Sequence, residues 1–194
     1  MDLTLCDIIN RVENIRNLTY LELGLGNGLN FANTLCNEKI SVDGFKGKDS
    51  ATFFGTTDNF FAQLDKDAKF DIIFIDACHH YDFVLKDFNN SIAHCDGWIV
   101  MHDMIPPTEA HTTKGRCSDG YKLLPHMMLK TNMNVYPMRD PDRLGLTFVR
   151  MPGTILLPGS EDKNLSYQEF SQWISKQRLY NKEEIIQILN GEKN

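Results

Sequence analysis

The chain has 194 residues, long enough to bury a core of its own, and its 42% apolar and 24% charged residues are those of an ordinary globular protein. A net charge of −6 argues against general binding to nucleic acid or to acidic membranes, because phosphate binding needs a basic surface. No apolar run approaches the roughly 20 residues of a membrane span, and Met1–Asp7 lacks the basic start and long apolar run of an export signal.

Short β-type runs alternate with helical patterns along the chain, which predicts an α/β fold with a mostly parallel sheet. Residues 3–15 carry Leu3, Cys6, Ile9 and Val12 at near-helical spacing and read as a leading amphipathic helix. Thr19–Leu23 is a buried strand that runs into glycines, and Leu29–Cys36 is the helix after it. Lys39–Asp43 is a second strand ending on an acid; Thr52–Phe54 is a short third, followed by a helix capped by Thr57 and running to Leu64. Phe53-Phe54 and Phe60-Phe61 read as core. Phe70–Ile75 is continuous and apolar, as a central parallel strand should be. Tyr81, Val84, Leu85, Phe88, Ile92 and Cys95 then keep helical spacing, Gly97 ends that helix, and Trp98–Met101 is the next central strand. A helix near Asp119–Leu129, disturbed at Pro125, precedes a closing pair of strands at Met133–Pro137 and Leu144–Arg150. Composition changes at Met151: Pro152, Gly153, Pro158 and Gly159 lead into helical patterns at about 166–178 and 182–190. Residues 1–150 are therefore expected to form the main domain, and 151–194 a linker and helical extension packed on it, too short to bury a core alone.

Two constellations carry chemistry. The first is Glu22-Leu-Gly24-Leu-Gly26-Asn-Gly28, where a strand ends in glycines and leads into a helix, so that backbone can approach a ligand closely. Glu22 is placed to attract an ammonium group. Asp43, 21 residues later at the end of the next strand, can accept ribose hydroxyls. Together they suit a ligand with ribose, adenine and an amino-acid head; glycines alone could simply form a tight turn. The second constellation lies at the carboxyl ends of the two strongest strands, Asp76-Ala-Cys-His79-His80-Tyr81 and His102-Asp103. Ligands of open parallel sheets bind at that edge. The plainer reading makes Asp76 and Asp103 caps and the histidines surface residues.

In order and spacing, Tyr20–Gly28, Phe70–Tyr81 and Trp98–Asp103 resemble the motifs of class I S-adenosylmethionine-dependent methyltransferases. The closer resemblance is to a bacterial-type group of small methyltransferases linked to sugar, glycan or secondary-metabolite modification. It extends to Thr56-Thr57-Asp58-Asn59-Phe60-Phe61, Pro106–Glu109, Gly120-Tyr121-Lys122 and Leu144-Gly145-Leu146, and so covers about residues 20–150. The resemblance implies a Rossmann-like sheet of seven strands flanked by helices, the last strand antiparallel. It implies that Glu22, Gly24, Gly26 and Gly28 surround the methionine part of S-adenosylmethionine, that Asp43 holds the ribose, that Thr57 and Asp58 lie near the adenine, and that Asp76 sits beside the sulfonium. His79 and His102, with Asp76 and Asp103, become the candidate catalytic residues, since an imidazole suits deprotonation of a hydroxyl near neutral pH.

Catechol-type methyltransferases hold magnesium with an acid after the fourth strand and an acid–amide or acid–acid pair after the fifth. Asp76 and Asp103 fit two of these positions, while Met104 stands at the third and cannot bind a hard cation. Asp76, Asp103 and a histidine would suit a softer divalent ion. The expected activity is methyl transfer to oxygen, or to nitrogen, of a small hydroxylated acceptor such as a sugar, without nucleic-acid or membrane partners; self-association stays open. Two other readings remain: a nicotinamide-dependent oxidoreductase, disfavoured by Leu29 where the third dinucleotide glycine would stand, and a non-enzymatic assembly protein on the same fold. The five cysteines are odd in number and widely spaced, which points to reduced thiols in a cytoplasmic compartment.

Overall fold

A computed structural model describes residues 4–45, 51–113, 115–139, 144–150, 156–158 and 161–191. Its strands are β1 (Thr19–Leu23), β2 (Glu38–Asp43), β3 (Phe53–Phe54), β4 (Phe70–Ile75), β5 (Cys95–Met101), β6 (Asn134–Met138) and β7 (Leu146–Arg150). They form one seven-stranded sheet in the order β3-β2-β1-β4-β5-β7-β6. The strands from β3 to β5 pair in parallel, and β7 runs antiparallel to both β5 and β6. Chain direction along the sheet reverses between β1 and β4, so the crevice of this fold opens at the carboxyl ends of those two strands.

Seven α-helices flank the sheet among the described residues: α1 (Thr4–Ile9), α2 (Leu29–Asn33), α3 (Thr57–Gln63), α4 (Tyr81–His94), α5 (Leu123–Lys130), α6 (Tyr167–Ile174) and α7 (Lys182–Leu189). Successive strand residues point to opposite faces, so each central strand feeds two cores. Leu21, Leu23, Ile73, Ile75, Ile99 and Met101 pack with Phe88 and Ile92 of α4, Leu124 of α5 and Phe170 of α6. Tyr20, Ile72, Phe74, Trp98 and Val100 pack on the other face, with Ile8 and Ile9 of α1 and Ile185 and Ile186 of α7. The boundary expected at Met151, and Pro152, Gly153 and Gly159 with it, lies outside the described residues, as does Leu3. No helix among the described residues is long and apolar enough to cross a membrane.

Several element ends differ from expectation, each for a contact that local pattern does not carry. The first helix stops at Ile9 because the Asn10 amide donates to the Asn33 carbonyl and accepts the Leu35 N–H, both at 2.9 Å. The helix after the glycines stops at Asn33, where the Lys39 ammonium takes the Phe31 and Thr34 carbonyls at 2.6 and 2.9 Å. Thr56, not Thr57, caps α3, its hydroxyl accepting the Asn59 N–H at 3.2 Å. Gly97 does not end a helix but lies inside β5, where a Cβ would stand 2.2 Å from the Asp71 carbonyl oxygen. Pro125 leaves α5 undisturbed because it falls in the first turn, where its missing N–H would have no partner within the helix. Phe53, Phe60 and Phe61 pack on the core as expected, but Phe54 is exposed.

Candidate active site

The crevice between β1 and β4 begins with a glycine that no other residue could replace without strain. Gly24 has φ +89°, and a Cβ there would lie 2.2 Å from the Asp76 carbonyl oxygen, so the turns after the two strands touch through its bare backbone. Gly26 and Gly28 are also left-handed, at φ +53° and +75°, and Gly26 leaves the outer side of the loop open. Asp43 braces this loop from β2. Its carboxylate accepts the Leu25 N–H at 3.0 Å and the Phe45 N–H at 2.8 Å while only 7% of the residue is exposed.

Glu22 sits beneath the loop with 1% of its surface exposed. Burial drives its carboxyl up to about 8; the Tyr20 hydroxyl, which donates to it at 2.7 Å, works the other way but does not overcome this, and the nearby Asp76 charge adds to the rise. Lys39 opposes the shift weakly, since its ammonium is held by carbonyls at the end of α2. A buried acid so placed gains most from a cation delivered by a ligand.

Across the crevice four groups from β4, β5 and their following turns meet. Asp76 Oδ1 lies 3.2 Å from His79 Nε2 and 3.2 Å from His102 Nδ1. Asp103 completes the ring, with Oδ2 at 2.9 Å from His79 Nδ1 and Oδ1 at 3.0 Å from His102 Nδ1. Burial acts against the charged form of each of the four, but the mutual pairing outweighs it. The carboxyls of Asp76 and Asp103 are lowered, chiefly by His102 and, for Asp103, by His79 as well. Both imidazoles are pushed up to about 10, His79 by its hydrogen bonds to Asp103 and Asp76 and His102 foremost by the Asp76 charge. Despite their short separation, His102 Nδ1 and Asp103 Oδ1 are shut from solvent without an aligned hydrogen bond. Asp103 itself is left-handed, φ +61°, a conformation costly for a non-glycine residue and held here at the site.

Three of these residues, Asp76, His102 and Asp103, bring ligand atoms within 4.8 Å of one another, in a geometry that could hold a metal ion. The adjoining cavity, of about 10 Å³, is bounded by Cys78, His79, His102, Asp103, Cys117 and Gly120, and admits something the size of one water or ion. Met104 is 1% exposed and belongs to the core, so the third candidate donor is His102 and not residue 104. Mixed nitrogen and oxygen donors favour ions of the manganese-to-zinc series over magnesium.

The side chains of Thr57 and Asp58 are engaged by α4. The Asp58 carboxylate pairs with Lys86 of α4 at 2.7 Å, and the Thr57 hydroxyl bonds to Asp87 of the same helix. The structure thus gathers Glu22, the three glycines, Asp43, Asp76, His79, His102 and Asp103 at one sheet edge, and ties Thr57 and Asp58 to α4.

The segment Arg116–Gly120 reaches this edge as well. The Arg116 carbonyl contacts His79 Nδ1, Ser118 Oγ lies 2.9 Å from His80 Nδ1, and Asp119 Oδ1 accepts the Tyr81 N–H at 2.8 Å. Partners 37 and 38 residues apart leave no local signal.

Residues 21–104, which hold the loop and the four-group cluster, match the family described as "Methyltransferase domain". No curated protein matches the chain at a significant level. Among solved structures, the fold is similar to the O-methyltransferase TomG of Streptomyces achromogenes, crystallised with S-adenosylmethionine, at 15% identity over 80% of this chain and 79% of that one, with a TM-score of 0.56. It is also similar to the O-methyltransferase of Bacillus cereus, in complex with S-adenosylhomocysteine, at 14% identity over 76% of this chain and 77% of that one, TM-score 0.51. The match to that methyltransferase-domain family thus lies over the loop and both strands of the crevice, on a sheet of this order.

Proposed function

We propose that the chain transfers a methyl group from S-adenosylmethionine to an oxygen of a small hydroxylated acceptor. The observation that carries this reading is the buried Glu22, its carboxyl pushed up to about 8, under an open glycine loop, one strand away from the Asp76–His79–His102–Asp103 cluster. The amino-acid head of the cofactor brings the ammonium that Glu22 lacks. Each oxygen of Asp43 accepts one backbone N–H and keeps a lone pair for a ribose hydroxyl. Asp76, joined to the glycine loop by the Gly24 contact, stands beside the sulfonium. The two similar O-methyltransferases crystallised with the cofactor or its demethylated product support the assignment.

Methyl transfer needs the acceptor oxygen, methyl carbon and sulfur in line, so positioning supplies much of the rate. His79 is the residue placed to take the acceptor's proton, at Nε2. Between two carboxylates its imidazole stays protonated near neutral pH, and it becomes a base only when those charges are otherwise balanced. We read Asp76, His102 and Asp103 as holders of a divalent ion; when bound, such an ion neutralises the carboxylates and acidifies a coordinated hydroxyl. The five free thiols fit a cytoplasmic setting.

Calorimetry with S-adenosylmethionine, S-adenosylhomocysteine and NAD, each with and without magnesium, manganese or zinc, tests the reading. Both methionine nucleosides bind and NAD does not. Binding of NAD alone would overturn it.

A further inference from the structure

The helix that follows the catalytic turn starts without a cap of its own. His80 occupies the N-cap position of α4 and offers no side-chain hydrogen bond to the first turn. Exposed N–H groups at a helix start need an acceptor, and a carboxylate there also meets the positive end of the helix dipole. Asp119, 38 residues along the chain, provides it: Oδ1 accepts the Tyr81 N–H at 2.8 Å and lies 3.5 Å from His80 Nδ1.

The residues on either side of Asp119 secure the same turn. The Gly120 N–H donates to the His79 carbonyl at 2.8 Å, and the Arg116 carbonyl contacts the His79 ring at Nδ1. Ser118 adopts φ +48°, left-handed and strained for a non-glycine residue, while its hydroxyl meets His80. Cys117 is fully buried between them. Gly120 fits so closely that a Cβ would stand 2.7 Å from the His79 carbonyl oxygen. His79 is thereby fixed through its backbone on one side and its ring on the other. Asp119 itself keeps 43% of its side chain exposed, so it is no core residue retained for packing alone.

We propose that Asp119 is a positioning residue for His79: by capping α4 from outside, it fixes the turn that holds the His79 imidazole between Asp76 and Asp103. The inference deepens the methyl-transfer reading, on which it rests only for the use made of His79. An uncapped turn lets the ring leave its two carboxylates, and the proton acceptor is then no longer aligned with the acceptor oxygen.

Histidine-ring proton–nitrogen NMR spectra of the full-length, cofactor-free protein test this, with the His79 signals assigned through His79→Gln. Wild type and Asp119→Asn, which retains a capping oxygen, give one sharp set of His79 signals. Asp119→Ala loses that single set, while His94 at the far end of α4, held by the Ala68 carbonyl at 2.9 Å, is unmoved. Should the alanine variant not fold, Gly120→Ala leaves the polar partners in place but drives a methyl group against the His79 carbonyl, and displaces the same signals. Wild-type His79 signals in Asp119→Ala, in Gly120→Ala where only that variant folds, or equal disturbance in Asp119→Asn and Asp119→Ala, would overturn the proposal. Calorimetry with S-adenosylhomocysteine on the same samples shows unchanged affinity. If no sample binds it, wild type included, the methyl-transfer reading falls, while the ring signals still decide the role of Asp119.

Discussion

Glu22 shows how much of a site's behaviour is set by burial of a single group. Its carboxyl keeps a proton up to about 8 in the folded chain, whereas in the unfolded chain it ionises near 4.5. Between those values the folded state holds the extra proton, so the contribution of Glu22 to stability falls as pH rises and levels off above about 8. The thermal midpoint of the cofactor-free protein should therefore drop more steeply between pH 5 and pH 8.5 in wild type than in Glu22→Gln. At pH 8.5 the variant should be the more stable of the two, by about 2–4 °C for each kcal/mol removed. The same variant should bind S-adenosylmethionine at least about tenfold more weakly, a change of about 1.4 kcal/mol. Parallel melting curves would show that burial does not penalise the charge.

The glycines separate at the same scale. Gly24→Ala places a Cβ against the Asp76 carbonyl and adds a left-handed alanine, so both stability and cofactor binding should collapse. Gly26→Ala meets nothing within 4 Å and should cost only the left-handed conformation, about 1–2 kcal/mol in urea unfolding. The motif is legible in the sequence as three equivalent glycines. Their inequality is not, because it depends on where β4 ends. In the neighbouring cluster, His102→Ala should abolish the calorimetric signal of manganese or zinc while leaving S-adenosylhomocysteine binding in place. Retained metal binding would remove His102 from the donor set.

At the scale of elements, the strands were easier to read than the helix ends. β1 and β4 begin and end where their apolar runs do, since burial on both faces demands continuous apolar residues. α1 and α2 are shorter than their periodicity suggests, because Asn10 and Lys39 capture backbone groups from other segments. The two threonines before α3 look alike in sequence, and only geometry shows that Thr56 caps the helix while Thr57 bonds to Asp87. Thr56→Ala should lower unfolding stability by about 1 kcal/mol in denaturant titration, as expected for a lost cap. An equal loss in a background already lacking the Asn59 N–H bond would mean the hydroxyl acts elsewhere.

For the whole molecule, the order of the strands decides which residues can meet. The glycine loop, Asp43, Asp76 and the His102-Asp103 pair come together because β1, β2, β4 and β5 are neighbours with parallel chains, so their carboxyl ends share one edge. We read the C-terminal segment as part of the same cooperative unit, since Phe170 and Ile174 enter one core and Ile185 and Ile186 the other. A chain ending at Arg150 should lose near-ultraviolet circular dichroism and its cooperative melting transition. Retention of both would make residues 151–194 an accessory.

The sequence by itself determined the alternation of elements, the glycine loop with its two acids, and the polar residues at two strand ends. These follow from local periodicity and from residue types whose order and spacing can be read along the chain. Tertiary structure alone decided that both imidazoles lie between the same two carboxylates, that Glu22 is buried beside the Tyr20 hydroxyl, that Met104 turns into the core and that Asp119 caps α4. Each of those depends on burial or on partners distant in the chain, and neither propensity nor spacing encodes which distant group will arrive.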